Sequence, residues 1–416
     1  MLRAASLSVV LGAKHRKPSE EGHEGGGPGV HGDDEVLGQI RSLFQDFAAN
    51  EVRPQAAAID SDDSFPQELW SKAGEIGCFG LRYPEDVGGS GLGMRALATA
   101  IEEISWGSGS LGAACLMQSL MGTHFLYRCG DTDIRSTWFE PAIAGKAIGV
   151  ICMTEPNSGS DLRSMSTRAN RSDSGEFTLN GQKTWVTSAP VADFFTVFAR
   201  GDNEGELGAF LVLADQQGVT LGRQLDKLGV RGSVTCELFL EDVVVPQERV
   251  LVPLGEGMSA LREILVEIRI QTAALALGLG RAALEEALNY AGEREQFGRP
   301  LAKFQATRLR LAEVATELEA ARVLVDDVAR RAELATSGES PPSGDDLGLI
   351  GRACMAKWKA SEAALATSQA AMRTLASYGY STEYPVERIL RDSWFTLFGG
   401  GTSEILLLSV ARELGL

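Results

Sequence analysis

Histidine is scarce in this 416-residue sequence: there are four, and three of them (His15, His23, His31) fall near the start, leaving His124 alone in the body. A zinc centre built on imidazoles or a Ser-His-Asp hydrolase has too little to draw on. The evenly spaced histidines of the first segment are read as chance, and no metal site is expected. The six cysteines are scattered, with no CxxC pair among them. They read as reduced core thiols in a reducing compartment. No apolar run approaches the roughly 18 residues that a membrane span requires. Cations are also short, 39 Lys and Arg against 56 Asp and Glu, a net charge of −17. That balance disfavours a nucleic-acid partner, which needs clustered positive charge.

With 44% hydrophobic residues the chain has enough apolar surface for a large core divided among several domains. Residues 1–33 are excluded from the fold. Their opening, MLRAASLSVVLGAKHRKPS, carries Arg3, Lys14, Arg16 and Lys17 and no acid, in the manner of a mitochondrial presequence, and a Gly-rich polar stretch follows. Cytoplasmic placement is expected, with the mitochondrial matrix as the alternative.

Residues 34–148 read as an N-terminal helical domain, with an apolar stripe of Val36, Ile40, Leu43, Phe44 and Phe47. The Pro/Gly-rich YPEDVGGSGLG at 83–93 reads as a loop between helices. Residues 149–252 change to β patterning, and Asn180 followed by Gly181 predicts a hairpin turn. Residues 253–416 return to helix. Leu311, Val314, Leu318, Ala321, Val325 and Val328 recur at steps of three and four, the seam of a bundle helix that a loop at 336–346 should end. The fold class is α+β.

Two stretches suggest a flavin before any family is considered. The loop within MTEPNSGSD (153–161) leaves backbone N–H groups and hydroxyls free for the oxygens of an isoalloxazine ring, and Trp185 in KTWVTS offers an aromatic face. Trp185 has a plainer reading as a strand core residue. Arg294 suits a pyrophosphate through its planar fork, or is a solvated arginine.

Together with EREQFGRPLAKFQ (293–305) and STEYPVERILRD (381–392), these motifs occur in an order and spacing that resemble the acyl-CoA dehydrogenase family from about residue 34 to the end. The resemblance implies an N-terminal helical domain, a middle β-barrel or sheet domain, a C-terminal four-helix bundle and FAD between the last two. Met153, Thr154, Ser160, Trp185 and Thr187 match flavin-ring positions. Arg294, Phe297 and Gln305 match residues that reach a neighbouring subunit's cofactor, which implies a homotetramer or at least a homodimer. Thr402 and Glu404 flank the cofactor at the start of the last helix. Where relatives have Gln and then Gly-Gly, this chain has Arg373 and then Ala376 and Ser377, an altered adenine end. Ser160, Arg269, Gly400 and Gly401 match substrate-binding positions.

The family's reaction removes a proton from the carbon α to a thioester while flavin takes a hydride from the β carbon, so it needs a positioned base and donors to the carbonyl oxygen. The usual base is a Glu just before the Gly-Thr that matches Gly401 and Thr402; here that residue is Gly400. Its backbone N–H remains as a donor. Other members place the Glu before an arginine that corresponds to Arg269, but here Ile268 stands there. The nearest carboxylate, Glu267, is one residue off, a rotation of roughly 100° along a helix. Glu267 is the candidate base, and with Glu263 at i−4 it equally describes a solvated helix face. Three readings stay open: a dehydrogenase of acyl thioesters of CoA or a carrier protein, with electron-transfer flavoprotein as acceptor; a flavin oxidase or monooxygenase on the same scaffold; and a non-catalytic subunit of a heteromeric enzyme. The acyl pocket's floor is expected from 111–125.

Overall fold

The computed structural model of the protein describes residues 30–203, 205–337 and 347–416. Expectations for residues 1–29 lie outside the described residues. Helix α1 (Val30–Phe47) begins before the expected boundary, and buries Ile40, Phe44 and Phe47 at i, i+4 and i+7. The 83–93 stretch is a loop with one short 3-10 turn, leading into α2 (Gly93–Gly107). Ser108 then caps α3 (Gly109–Leu116), its hydroxyl accepting from Leu111 N–H at 3.4 Å.

The middle region is a sheet of β1 (Gly149–Cys152), β2 (Arg168–Arg171), β3 (Phe177–Thr187), β4 (Phe194–Arg200), β5 (Leu207–Leu213), β6 (Val219–Gln224), β7 (Thr235–Val245) and β8 (Val250–Val252). Seven strands run in the order β6-β7-β3-β2-β4-β5-β8, and β1 pairs in parallel with β4. The hairpin turn expected at Asn180 and Gly181 is not there; both residues lie inside β3. The chain turns instead at 172–175, where Ser172 N–H bonds Glu176 O and Gly175 has φ +91°. Gly181 is required for a different reason. A Cβ at this position would lie 2.5 Å from Thr167 Oγ1, so the glycine permits close passage of two backbones at a bulge in the β3–β7 ladder.

The C-terminal region is a bundle of α4 (Gly257–Glu293), α5 (Gln305–Ser337) and α6 (Leu349–Leu375), completed by the short α7 (Val386–Phe395) and α8 (Ser403–Glu413). Helix α4 is buried on several faces because it packs between the bundle and α2. Small residues allow the approach: a Cβ on Gly278 would meet Glu102 O of α2 at 2.3 Å, and one on Gly280 would meet Leu318 of α5 at 2.7 Å. The six α5 residues named above as its seam are all buried. Most of the expected 336–346 loop lies outside the described residues. The architecture is α+β: helical, then sheet, then helical bundle.

Candidate active site

One wall of the site is built on a buried ion pair. β3 is out of register with β7 between Lys183 and Val186, and at this irregularity Lys183 and Trp185, two residues apart, no longer share a face. Lys183 points inward, wholly buried, and bonds Glu155 at 2.7 Å. Glu155 also accepts from Thr167 N–H at 2.9 Å, Thr167 Oγ1 at 2.6 Å and Ser166 N–H at 2.5 Å. Burial alone would raise the Glu155 carboxyl, but the Lys183 charge and these donors hold it down at about 2. This pair ties the 153–161 loop to β3, and Thr184 N–H to Thr154 O at 2.9 Å finishes the joint.

Trp185 is thereby pushed outward. It has φ +56° and is 60% exposed, so it is not a strand core residue. A bulky residue held left-handed costs on the order of 1–3 kcal/mol, a strain that concentrates at functional sites. On the tied loop Met153 and Thr154 are half-buried and Ser160 is exposed, and Thr187 of β3 is half-buried. An open indole face beside solvent-facing loop backbone fits a flat, oxygen-edged ring such as isoalloxazine.

A second group of candidate residues lies in the loop before α8. Gly399 N–H is spent on Phe395 O at 3.0 Å and Gly401 N–H on Phe398 O at 3.3 Å, while the N–H of Gly400 between them has no hydrogen-bond partner among the described residues. Gly400 has φ +72°, and a Cβ there would face α4, 3.3 Å from Ile268 Cγ2 and 3.3 Å from Thr272 Oγ1. Thr272 spends its hydroxyl on Ile268 O at 2.8 Å. Buried Arg269 reaches Gly400 O through Nε at 3.4 Å. Thr402 caps α8, its hydroxyl accepting from Ile405 N–H at 3.4 Å, and Glu404 points to solvent.

Glu267 lies on a neighbouring face of α4. Its carboxylate accepts from Arg82, a buried residue of the loop that joins the helical elements. Arg82 also lies 3.0 Å from His124 Nδ1. A guanidinium only donates, so Nδ1 accepts and the ring proton sits on Nε2, which is buried without a partner. Burial and the charges of Arg82 and Arg128 keep the imidazole well below its usual range, hence neutral. Glu263, by contrast, is a solvated residue paired with Arg128.

The remaining expected site residues gather at the far end of the bundle. Arg294 ends α4, with its guanidinium 5.7 Å over the Tyr378 ring. Phe297, φ +53° and 94% exposed, projects from a small hairpin, and exposed Gln305 opens α5. Exposed Arg373 and Ser377 flank Ala376, which takes φ +54° and ψ −125°, a glycine-type conformation where relatives have glycine. Arg269 and Arg294 are 25 residues apart on and just beyond one helix, about 37 Å. That exceeds the span of one dinucleotide.

Four residues escape the sequence reading. Arg82 falls in the region read as helical, just ahead of the 83–93 loop, and nothing in the sequence singles it out. Glu155 and Lys183 lie inside quoted motifs, yet nothing in the sequence pairs them. Lys357 of α6, also wholly buried, had a visible signal: it interrupts the seam Ala353, Ala360, Ala364 at helical spacing.

The chain matches the acyl-CoA dehydrogenase N-terminal domain over residues 34–146, the middle domain over 150–243 and the C-terminal domain over 255–415. The chain belongs to the acyl-CoA dehydrogenase family, and its chemistry is dehydrogenation of acyl thioesters, an oxidation of a CH–CH bond. A benzylmalonyl-CoA dehydrogenase of Aromatoleum aromaticum is 50% identical over 90% of this chain and 96% of the relative. Butyryl-CoA dehydrogenase of Megasphaera elsdenii superimposes with TM-score 0.86 at 31% identity, covering 91% of this chain and 98% of that one. A glutaryl-CoA dehydrogenase of Mycobacterium smegmatis in complex with FADH2 gives TM-score 0.84 at 30% identity, covering 92% and 95%. The family is FAD-dependent, and acyl-CoA substrates with electron-transfer flavoprotein as acceptor are typical of it. Among the described residues no helix is long and apolar enough to cross a membrane, and no cluster of His, Cys, Asp and Glu would hold a metal ion.

Proposed function

We propose that the chain oxidises a CoA thioester that carries a carboxylate on its α carbon, a malonyl-type thioester, and that loss of this carboxylate as CO2 stands in for removal of a proton. Desaturation needs an electron pair on the α carbon, and a general base or a departing CO2 supplies it equally. The observation that carries the reading is Gly400: no side chain, an unspent N–H, and an open flank against Ile268 and Thr272. A substrate carboxylate fills the volume that a glutamate's would take. Neither Ile268 nor the committed hydroxyl of Thr272 gives it a hydrogen bond there, and leaving as neutral CO2 removes that deficit. The Gly400 N–H donates to the thioester oxygen and stabilises the enolate that forms. The Cα–CO2 bond breaks with its electrons left on Cα; these form the double bond as a hydride leaves the β carbon, and the protein neither takes nor gives a proton. FAD, which Trp185, Met153, Thr154, Ser160 and Thr187 would hold, supplies the two-electron acceptor for that hydride. The 50%-identical relative is named for a malonyl thioester, which supports the choice.

Arg294, Phe297, Gln305, Arg373 and Ser377 would then serve a neighbouring subunit's FAD in a homotetramer, or at least a homodimer. The roughly 37 Å of helix between Arg269, at the glycine loop, and Arg294 supports this. Cytoplasmic placement and electron-transfer flavoprotein as acceptor complete the reading.

In the test, FAD-loaded protein is mixed anaerobically with benzylmalonyl-CoA or with 3-phenylpropionyl-CoA, which lacks the extra carboxylate. The first should bleach the flavin and release one CO2 per flavin, at least about a hundredfold faster than the second, the usual scale of a missing base. Equal bleaching by the two contradicts the proposal. A second reading keeps Glu267 as base, because its carboxylate lies beside His124 of the expected pocket floor. On that reading Glu267→Gln abolishes bleaching by 3-phenylpropionyl-CoA.

A further inference from the structure

Lys357 has no carboxylate within ion-pair distance among the described residues, although its side chain is fully buried. An uncompensated buried ammonium is costly, and a methionine would fill the same seam position without that cost. Its one hydrogen bond is to the catalytic loop: Nζ donates to Gly401 O at 2.8 Å. The preceding carbonyl, Gly400 O, is the one that Arg269 Nε reaches. Three consecutive glycines have wide conformational freedom and do not hold a single backbone geometry unaided. Here two cations from two long helices hold successive carbonyls on one side. The flanking N–H groups are spent, and Gly400 N–H is left over.

We propose that Lys357 is a positioning residue for thioester activation: by gripping the Gly401 carbonyl it holds the glycine loop so that the Gly400 N–H stays aimed at the thioester oxygen. The inference rests on that N–H being the carbonyl donor and is independent of whether the substrate carries a second carboxylate. Burial, together with the charge of Arg269, pulls the lysine down to about 7. The groups that face it are Arg269 from α4, Cys354 and Glu362 from its own helix and Glu404 from α8. The grip is therefore charged and strong below pH 7 and neutral and weaker above it.

The test uses FAD-loaded protein and 4-(dimethylamino)cinnamoyl-CoA, a chromophore whose absorption moves to the red as its carbonyl is polarised. Wild type should shift the bound probe strongly, and the shift should fade as pH rises through 7. Lys357→Met should keep its FAD and bind the probe, lose most of the shift at every pH, and drop kcat by about tenfold or more with a smaller change in KM. Lys357→Gln, which keeps a neutral donor, should give an intermediate shift without pH dependence. If Lys357→Met shows the wild-type shift, or if the wild-type shift is flat across pH 7, the role assigned to Lys357 is overturned. Wild type that binds the probe with no shift at all overturns the placing of the thioester at Gly400, and the inference falls with it.

Discussion

Among the described residues two lysines are removed from water, and they are buried for opposite reasons. Lys183 faces Glu155 at 2.7 Å inside the sheet, where a carboxylate with its own set of donors neutralises it. Lys357 makes its one hydrogen bond to a backbone carbonyl inside the bundle, with no carboxylate at ion-pair distance among the described residues. The first is a tie that holds two motifs in one cradle; remove it and an unpaired carboxylate is stranded. The second contributes little to folding and is retained for what it grips. A compensated buried charge marks architecture, and an uncompensated one marks a place where the protein gives up stability for geometry.

The largest effect should come from breaking the compensated pair. Lys183→Met leaves Glu155 buried and alone, at a cost of about 3–5 kcal/mol, and should lose bound flavin; denaturant unfolding and flavin absorbance measure both. Lys183→Met combined with Glu155→Leu should recover most of that stability. A Lys183→Met protein as stable as wild type would erase the contrast. Lys357→Met, by comparison, should melt at or above the wild-type temperature.

A smaller effect, of the same sign at the two sites but in separate pH windows, is expected with pH. Glu155 sits at about 2 in the folded chain, below its ordinary value of 4.5. Its contribution to stability is therefore complete above pH 4.5 and is lost as pH falls toward 2. Lys357 sits at about 7 in the folded chain against 10.5 ordinarily. The unfolded chain holds more protons between those values, so this lysine makes stability rise with pH across that window. Subtracting the melting curves of Lys357→Met and Lys183→Met from that of wild type, pH by pH, isolates the two slopes.

Much of the cradle was legible in the sequence because its parts are local: a Gly/Ser loop and a KTW strand, each recognisable from adjacent residues. The tie beneath them was not, since pairing Glu155 with Lys183 requires knowing that the register breaks between Lys183 and Val186. The same blindness explains the misplaced turn. Asn-Gly is a good hairpin signal, but Gly181 answers to the approach of Thr167, a residue from another part of the chain. The bundle seam was readable because its period lies in one helix. Gly400 and its remaining N–H donor were legible against the family pattern, whereas the two cations that hold the Gly400 and Gly401 carbonyls come from separated helices. Arg82 and its contacts to Glu267 and His124 are of the same kind.

The central claim is that this chain places no proton acceptor at the α carbon of its substrate. Incubation of the FAD-loaded protein with 3-phenylpropionyl-CoA in heavy water tests it most directly, because a base at that carbon washes deuterium in even when no oxidation follows. Thioester recovered from wild type should carry no α-deuterium, with deuterium appearing once Gly400→Glu puts a carboxylate in the loop. Rapid exchange by wild type that Glu267→Gln abolishes would contradict it.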